Sequence, residues 1–208
     1  DLGLAHDLLP GYMPLYDGGA KAKWEWQWKC ELPSDPGMDA ARMVRACGSG
    51  ELKALLVFGE NVALSAPNTG EAVASLDKVE FLAVADMYLT ETAELADVVF
   101  PACSFLEKAG TFTNIERRVQ RVRKAMDPVG ESRSDLSIIS MLSFALGASL
   151  SDDPAEVMAE IAANVGAYEA VSYAALDESW GHQWPMVGAM PRLAPLPAAE
   201  AREEPNYP

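Results

Sequence analysis

Histidine and cysteine are scarce in this 208-residue chain, which has only two of the former and three of the latter. Cys30, Cys47 and Cys103 form no CxxC pair, and neither His6 nor His182 lies near them in sequence. Zinc and iron–sulfur sites usually have closely spaced ligands, so the sequence predicts no metal site within this chain. We expect the three thiols to act as small buried hydrophobic residues of a protein kept reduced.

Long hydrophobic runs and familiar catalytic signatures are also missing. No apolar stretch approaches the roughly 20 residues of a membrane-spanning helix. There is no phosphate loop of the GxGxxG or GxxxxGK type, and Ser, His and Asp are not arranged as in any known nucleophile signature. Because histidine is so rare, general-base chemistry has few candidates. The residues alone therefore indicate a ligand-binding domain without a visible catalytic residue.

Positive charge is in short supply, with 16 Lys and Arg against 31 Asp and Glu, for a net charge of −15. A field of this sign does not attract nucleic acid or anionic membrane surfaces. Hydrophobic residues make up 50% of the chain and charged residues 23%, which is typical of a folded globular protein. The composition favours a soluble protein that works on small molecules or protein partners.

Both ends of the chain have the character of internal protein sequence. Residues 1–11 lack an initiator Met, a basic region and the long apolar stretch of a signal peptide. Residues 185–208 are rich in proline, which forbids helix and central strand. We therefore expect an internal fragment of a longer polypeptide, here called the parent protein, that ends in an extended connector.

Strand and helix patterns alternate through the middle of the chain. Strands are predicted at 52–58, 79–85 and 98–100, and the first two have the nearly continuous apolar sequence of strands buried on both faces. With helices between them, they predict an α/β fold in which helices flank a parallel sheet. We divide the chain into an irregular and helical part (1–50), an α/β region (51–165) and an extended proline-rich connector (166–208).

Helical patterns occur in six segments: 21–29, 38–46, 68–76, 90–95, 136–146 and 153–164. The first contains Trp24 and Trp28, which would share one helix face, although the alternation of its residues also fits a strand. The last begins at Asp153, followed three residues later by Glu156, which is the pattern of a capping box. Asn68 opens the third segment in the same way.

Polar residues follow each predicted strand of the sheet. Asn61 comes after the first strand, Asp86 after the second and Lys108 after the third. Ligands of parallel α/β sheets bind beyond the carboxyl ends of the strands, so these three side chains are candidate ligand contacts. There, an Asp can accept hydrogen bonds from a purine edge or a ribose, and a Lys can neutralise a phosphate. The alternative is that Asn61 and Asp86 stabilise turns and that Lys108 is solvated.

One segment runs against the acidic character of the chain, with five cations in the eight residues 117–124. Arg117, Arg118, Arg121, Arg123 and Lys124 could form one face of a strand or a loop edge. They could hold a diphosphate or contact acidic elements of another domain. A solvated or salt-bridged surface is the alternative. The segment is too short and isolated to predict nucleic-acid binding.

Several motifs together resemble the molybdopterin oxidoreductase family. The most distinctive are residues 90–102 (TETAELADVVFPA) and 107–121 (EKAGTFTNIERRVQR). Residues 10–12 (PGY), 56–61 (LVFGEN), 130–135 (GESRSD) and 181–185 (GHQWP) fit in the same order. The likeness spans nearly the whole chain. It is closest to formate dehydrogenase catalytic subunits and to the large iron–sulfur subunit of NADH:quinone oxidoreductase.

The resemblance implies a Rossmann-like lobe that holds one guanine dinucleotide arm of a bis-molybdopterin guanine dinucleotide cofactor, with molybdenum or tungsten. By motif match, the cofactor contacts would be Asn61, Asp86, Lys108 and Asp135. Ala85 replaces the Ser often found before the Asp, which removes a hydroxyl donor. No catalytic residue and no metal ligand are expected here. The 4Fe–4S cluster, the Cys or selenocysteine metal ligand and a C-terminal β-barrel would belong to missing parts of the parent protein.

Two functions follow as hypotheses. In the first, the parent protein is a molybdenum- or tungsten-dependent, formate dehydrogenase-like oxidoreductase, and this fragment alone is inactive. In the second, the parent protein is a structural or electron-transfer scaffold of a respiratory complex that has kept the fold and lost the pterin. In either case we expect the partners to be the remaining domains and electron-transfer subunits, with no nucleic acid and no membrane insertion by this segment. We expect a cytoplasmic location.

Overall fold

The computed structural model describes residues 5–187, 190 and 191, and only the backbone at 186, 187, 190 and 191. Its strands are β1 (Leu8–Leu9), β2 (Met13–Pro14), β3 (Ala54–Phe58), β4 (Phe81–Asp86), β5 (Val98–Pro101), β6 (Gly110–Thr113), β7 (Arg118–Val122), β8 (His182–Gln183), β9 (Met186–Val187) and β10 (Met190–Pro191). Its helices are α1 (Gly18–Trp28), α2 (Ala40–Ser49), α3 (Val62–Ser65), α4 (Thr69–Leu76), α5 (Glu91–Glu94), α6 (Asp135–Ala145), α7 (Pro154–Asn164) and α8 (Tyr173–Asp177), with a 3₁₀ turn at Gly166–Tyr168.

A three-stranded parallel sheet of order β3-β4-β5 forms the centre of the α/β region. Helix α4 connects β3 to β4, and it begins at Asn68, whose side chain accepts a hydrogen bond from the Glu71 N–H. Helix α5 lies between β4 and β5. The predicted fold class, a parallel sheet with helices between its strands, is confirmed.

Strand β4 is the most deeply buried element of this sheet. Leu82 and Val84 pack with Val57 of β3, Leu76 of α4 and Ala93 of α5 in one hydrophobic cluster. A second cluster on the sheet joins Ala85, Ala102 of the segment after β5 and Ile138 of α6. Burying apolar side chains on both of its faces holds β4 in the middle of the sheet.

Strand β3 departs from the prediction that it is buried on both faces. Within the described residues it pairs with β4 alone, so it is an edge strand. Val57 is buried, whereas Ala54 is exposed and the Leu56 side chain is 50% exposed. Among the described residues, the face that carries Ala54 and Leu56 is covered at Phe58, which packs against the cluster of Ala85, Ala102 and Ile138, and it is open towards the start of the strand.

The basic segment is a strand of a second sheet. Strand β7 pairs antiparallel with β6 on one side and with β8 on the other. Asn114 accepts hydrogen bonds from the N–H groups of Arg117 and Arg118, which closes the turn between β6 and β7. Of the two structures that the sequence left open for residues 117–124, the strand forms over 118–122, and Arg117, Arg123 and Lys124 lie in the loops that flank it.

Residues from both ends of the described chain share one hydrophobic core. This core, called here the terminal core, contains Leu9, Leu15, Ala20, Trp24, Val119, Met158, Val165, Tyr168, Val171, Leu176 and Trp184. Helix α1 brings the predicted tryptophan pair together, with the Trp24 and Trp28 ring centroids 4.8 Å apart. The helix, and not the alternative strand, is therefore correct, and Trp24 is buried while Trp28 is 41% exposed.

Helices α6 and α7 form at the predicted positions, each with a side-chain cap. Ser134 accepts a hydrogen bond from the Ser137 N–H, and Asp153 accepts one from the Ala155 N–H. The reciprocal half of the predicted capping box is absent, because Glu156 accepts a hydrogen bond from the Ser151 hydroxyl instead. No helix in the described ranges is both long and apolar enough to cross a membrane.

The range 166–208 is not extended where the structure describes it. Residues 166–187 contain the 3₁₀ turn, helix α8 and strand β8, and four of their side chains belong to the terminal core. The expected extended conformation is wrong for these residues, since their apolar side chains pack instead. Residues 188, 189 and 192–208 lie outside the described residues. The three-part division of the chain stays a prediction.

Gly181, directly before β8, leaves no room for a side chain against β7. Its φ is +104°, and a Cβ atom placed on it would lie 2.4 Å from the carbonyl oxygen of Val119. Gly147 also has a positive φ, at +85°, but a Cβ atom placed on it would meet no other atom within 4 Å. Gly166 has neither a positive φ nor a neighbour that a Cβ atom would meet within that distance. Alanine substitutions at these three glycines therefore distinguish the cost of backbone strain from the cost of a steric clash.

We predict that Gly147→Ala lowers the free energy of unfolding by about 1 kcal/mol, because its φ is positive. Gly181→Ala should lower it by more, because the added Cβ atom also clashes with β7. Gly166→Ala should be neutral or slightly stabilising. Urea unfolding of the three variants and of the wild type measures these differences. A Gly181→Ala variant as stable as Gly166→Ala would contradict the close packing of β8 on β7.

Candidate functional site

The carboxyl ends of the three parallel strands meet at one edge of the sheet, called here the sheet edge. Asn61 follows β3 and begins α3, while Asp86 is the last residue of β4. After β5, Ala102 forms a parallel bridge with Arg133, and the Cys103 N–H donates to the Arg133 carbonyl at 2.8 Å. This bridge brings the start of α6 beside the sheet, so that Asp135 lies near the continuation of β5.

Asn61 is held by two residues of α5. Its Oδ1 accepts hydrogen bonds from the Thr92 hydroxyl at 2.8 Å and from the Thr92 N–H at 3.2 Å. Its Nδ2 donates to Glu91 Oε2 at 2.6 Å, and this bond is the main cause that lowers the pKa of the Glu91 carboxyl below its ordinary value. The amide of Asn61 is thereby fixed in one orientation, and its second N–H has no hydrogen-bond partner among the described residues.

Asp86 is half-buried, and its carboxylate makes few hydrogen bonds with the described residues. Its Oδ1 accepts one hydrogen bond, from the Tyr88 N–H at 3.3 Å. Its backbone carbonyl accepts from the Ala102 N–H at 3.0 Å, which fixes the end of β4 against the chain after β5. The carboxylate therefore keeps acceptor capacity for a donor outside the described residues.

Lys108 and Asp135 form an ion pair through Nζ and Oδ2, with about a quarter to a third of each side chain exposed. Asp135 is the first residue of α6, where the helix dipole favours a negative charge. The structure thus brings together two residues that lie 27 positions apart in sequence and that were predicted for one site. In this state each neutralises the other.

Glu107 is a residue that the sequence reasoning missed. It is buried, and its carboxylate accepts hydrogen bonds from the Ser104 N–H at 2.7 Å and the Val129 N–H at 2.6 Å. Hydrogen bonding from the Ser104 side chain and from these two backbone groups lowers the pKa of Glu107. Glu107 thereby ties the turn that carries Lys108 to the loop that leads to α6. Its place directly before Lys108 in the EKAG motif was the available signal.

Ala85 does not reach the sheet edge. Its side chain is 1% exposed and packs with Ala102 and Ile138, and its carbonyl accepts from the Gly59 N–H at 2.8 Å. A side-chain contact with a ligand would require this cluster to open. Ala85 supports the edge by packing, and the function proposed below does not depend on it.

The candidate residues form two groups along the edge. Asn61 belongs to the network with α5, and Lys108 pairs with Asp135. Asp86 stands at the end of the central strand, between the strands that carry the two groups. No hydrogen bond or ion pair within the described ranges joins one group to the other, so a ligand that contacts all four side chains would have to span the edge.

Four of the five cations of the basic segment form ion pairs within the described residues. Arg121 and Arg123 both contact Asp177 of α8, at 3.4 and 2.6 Å, and the Arg121 guanidinium lies 3.7 Å from the centre of the Tyr173 ring. Arg118 pairs with Glu116 and Lys124 with Asp127. These contacts support the salt-bridged alternative, in which the segment fastens β7 to α8.

An open cavity of about 390 Å³ lies between the end of β5 and helix α6. The residues that line it are mostly apolar, with one acidic and one basic side chain among them: Phe100, Pro101, Glu131, Arg133, Ile138, Met141 and Leu142. None of the predicted site residues lines it. Beside it, α6 exposes Met141 and Phe144.

The described residues offer no metal site. No three His, Cys, Asp or Glu side chains are grouped as ligands within the described ranges. The cysteines are free; Cys47 and Cys103 are buried, whereas Cys30 is exposed, contrary to the expectation that all three are buried. Burial raises the pKa of the Cys47 thiol, which disfavours the thiolate form.

Comparison with known proteins adds the family. A family model described as molybdopterin oxidoreductase matches residues 11–145. A Bacillus subtilis protein named "Probable oxidoreductase YjgC" is 42% identical over 187 residues, or 89% of this chain and 19% of that protein. A Staphylococcus haemolyticus protein named "Putative formate dehydrogenase SH0748" is 39% identical over the same shares. The chain spans about a fifth of the length of these curated relatives.

A solved structure supports the fold. The acetylene hydratase of Pelobacter acetylenicus matches with a TM-score of 0.56 and 18% identity, over 71% of this chain and 21% of that one. At this identity the likeness concerns the arrangement of the backbone. The part of this chain that matches therefore folds like a segment of that larger enzyme.

We predict that Glu107→Gln weakens the fold at neutral pH, because an amide NH₂ would face one of the two backbone N–H donors that the carboxylate now satisfies. The pKa of Glu107 is below the ordinary 4.5, so its contribution to stability is fully present above about pH 4.5 and is lost as the pH falls through the lowered pKa. The variant should therefore show a shallower dependence of the free energy of unfolding on pH in the acid range. Urea unfolding over a series of pH values measures both effects, and an unchanged slope would contradict the role of Glu107.

Proposed function

The chain belongs to the molybdopterin oxidoreductase family, and from that membership we propose that its sheet edge holds one guanine dinucleotide arm of a bis-molybdopterin guanine dinucleotide cofactor. The observation that carries the proposal is that Asn61 and Asp86 lie at the carboxyl ends of β3 and β4, where α/β folds bind nucleotides, and that Lys108 and Asp135 pair in the segments that follow β5. The proposal concerns one part of a longer oxidoreductase.

The donor set fits the chemistry of such a ligand. The Asp86 carboxylate has free acceptor capacity for the N–H groups of a guanine edge or for ribose hydroxyls. Lys108 can neutralise a phosphate, and Asp135 can then turn to a hydroxyl or an N–H donor of the same ligand. The free N–H of Asn61 can donate to an oxygen. These residues bind and orient; when bound, the cofactor metal, molybdenum or tungsten, supplies the oxidation–reduction chemistry.

The activity proposed for the parent protein is that of a formate dehydrogenase-like enzyme. It is supported by the name of the similar Staphylococcus haemolyticus protein, "Putative formate dehydrogenase SH0748". The 4Fe–4S cluster and the metal ligand would lie outside this chain, so we expect the chain alone to be inactive. The parent protein would act in the cytoplasm with its remaining domains and electron-transfer subunits as partners.

Nucleotide binding by this chain tests the proposal directly. We predict that guanosine diphosphate at millimolar concentration shifts the backbone NMR signals of Asp86 and Lys108. Adenosine diphosphate should shift them less, because adenine lacks the adjacent N1–H and N2–H₂ donors of guanine from which the Asp86 carboxylate would accept hydrogen bonds. Asp86→Asn should weaken the binding of guanosine diphosphate about ten- to a hundred-fold, since a charged acceptor is lost. Equal shifts with both nucleotides, or none with either, would contradict guanine recognition at this edge.

Metal analysis of the parent protein distinguishes the enzyme from the scaffold. For the enzyme we predict molybdenum or tungsten in stoichiometric amount, together with pterin and iron. Iron without molybdenum, tungsten or pterin would contradict the enzyme and favour an electron-transfer scaffold. If the parent protein is the enzyme, its Lys108→Ala variant should lose pterin together with molybdenum or tungsten and should retain its iron.

A further inference from the structure

We infer that Thr92 is a positioning residue, which fixes the Asn61 amide so that Asn61 can face a ligand only as a hydrogen-bond donor. The inference rests on the proposed function in so far as the ligand is the guanine nucleotide at the sheet edge. The orientation of Asn61 itself is a property of the chain without ligand.

Thr92 is a buried polar residue of α5 that is hydrogen-bonded to α3. Its side chain is 0% exposed, and its hydroxyl oxygen accepts a hydrogen bond from the Ala63 N–H at 2.9 Å. The same hydroxyl lies 2.8 Å from Asn61 Oδ1. Because the Ala63 N–H can only donate, the hydroxyl proton is left to donate to Asn61.

Two donors of Thr92 converge on one atom of Asn61. The hydroxyl and the backbone N–H, at 2.8 and 3.2 Å, both point to the same side-chain atom. An amide NH₂ cannot accept either bond, so that atom is the carbonyl oxygen. Flipping the amide would place an NH₂ against two donors and leave both without an acceptor inside the protein.

The fixed orientation determines what Asn61 can offer a ligand. Both lone pairs of Oδ1 are occupied by Thr92, and one N–H of Nδ2 is occupied by Glu91. The second N–H is the remaining polar group of the side chain. The ligand atom that meets Asn61 is therefore an acceptor, such as a phosphate, hydroxyl or carbonyl oxygen, and not the donor edge of a base.

Substitutions at Thr92 separate positioning from structure. Thr92→Val keeps the shape and removes the hydroxyl, whereas Thr92→Ser keeps the hydroxyl and removes a methyl group. Thr90→Val is the matched control, because the Thr90 hydroxyl caps the same helix through the Ala93 N–H at 3.3 Å and does not contact Asn61. We expect Thr92→Val to weaken guanosine diphosphate binding about three- to ten-fold. Thr92→Ser should bind within about two-fold of wild type, and so should Thr90→Val.

The side-chain NH₂ signals of Asn61 provide a readout without ligand. In the wild type and in Thr92→Ser we expect the same NH₂ chemical shifts, displaced from those of a solvated amide by the bonds to Thr92 and Glu91, and in Thr92→Val a pair shifted towards the values of a solvated amide. Unchanged Asn61 signals in Thr92→Val, or equal losses of binding in Thr92→Val and Thr90→Val, would overturn the positioning role. If the wild type binds no guanosine diphosphate, the proposed function fails, and the NH₂ signals alone decide the role of Thr92.

A second comparison keeps the inference falsifiable if Thr92→Val does not fold. Asn61→Asp combined with Glu91→Gln keeps the size of both side chains and avoids placing two carboxylates together. The Asp has no N–H, so this pair should bind guanosine diphosphate about as weakly as Asn61→Ala with Glu91→Gln. Binding equal to that of Glu91→Gln alone would show that Asn61 meets the ligand as an acceptor, and it would overturn the donor-only assignment.

Discussion

The parallel alignment of β3, β4 and β5 is the constraint on which the other features depend. Parallel strands that are in register end at the same edge, so the residues that follow them are neighbours whatever their separation along the chain. Burial of β4 on both faces holds this alignment, because Leu82 and Val84 pack on one cluster and Ala85 on another. A chain reversal in any one strand would carry its terminal polar residue to the opposite side of the molecule.

Hydrogen bonds to buried polar groups convert this alignment into fixed side-chain positions. Thr92 holds Asn61 at one end of the edge, and Glu107 holds the turn before Lys108 at the other. Each of these polar groups is buried, so an alternative arrangement that left their partners without hydrogen bonds would be costly. The edge is thus shaped before any ligand arrives, which reduces the side-chain ordering that binding requires.

Local patterns were sufficient to predict the three strands of the parallel sheet and six of the eight helices in the described residues. Apolar runs predicted the three strands, and cap residues such as Asn68 and Asp153 predicted helix starts, because both signals act within a few residues. The exposed face of β3 could not be predicted, since its composition does not state what lies beside it. Likewise, the pairing of Lys108 with Asp135 and the role of Thr92 depend on contacts between residues about 30 positions apart, which no local pattern encodes.

The terminal core has a consequence for the order of events during synthesis. Six of the eleven buried residues of the terminal core lie between Met158 and Trp184, whereas the last residue packed in the α/β clusters is in α6. On a ribosome, the parallel sheet can therefore be complete while the N-terminal helix still lacks more than half of the core that it joins. For the time taken to translate the residues up to 184, its apolar face is open to chaperones and to other nascent chains.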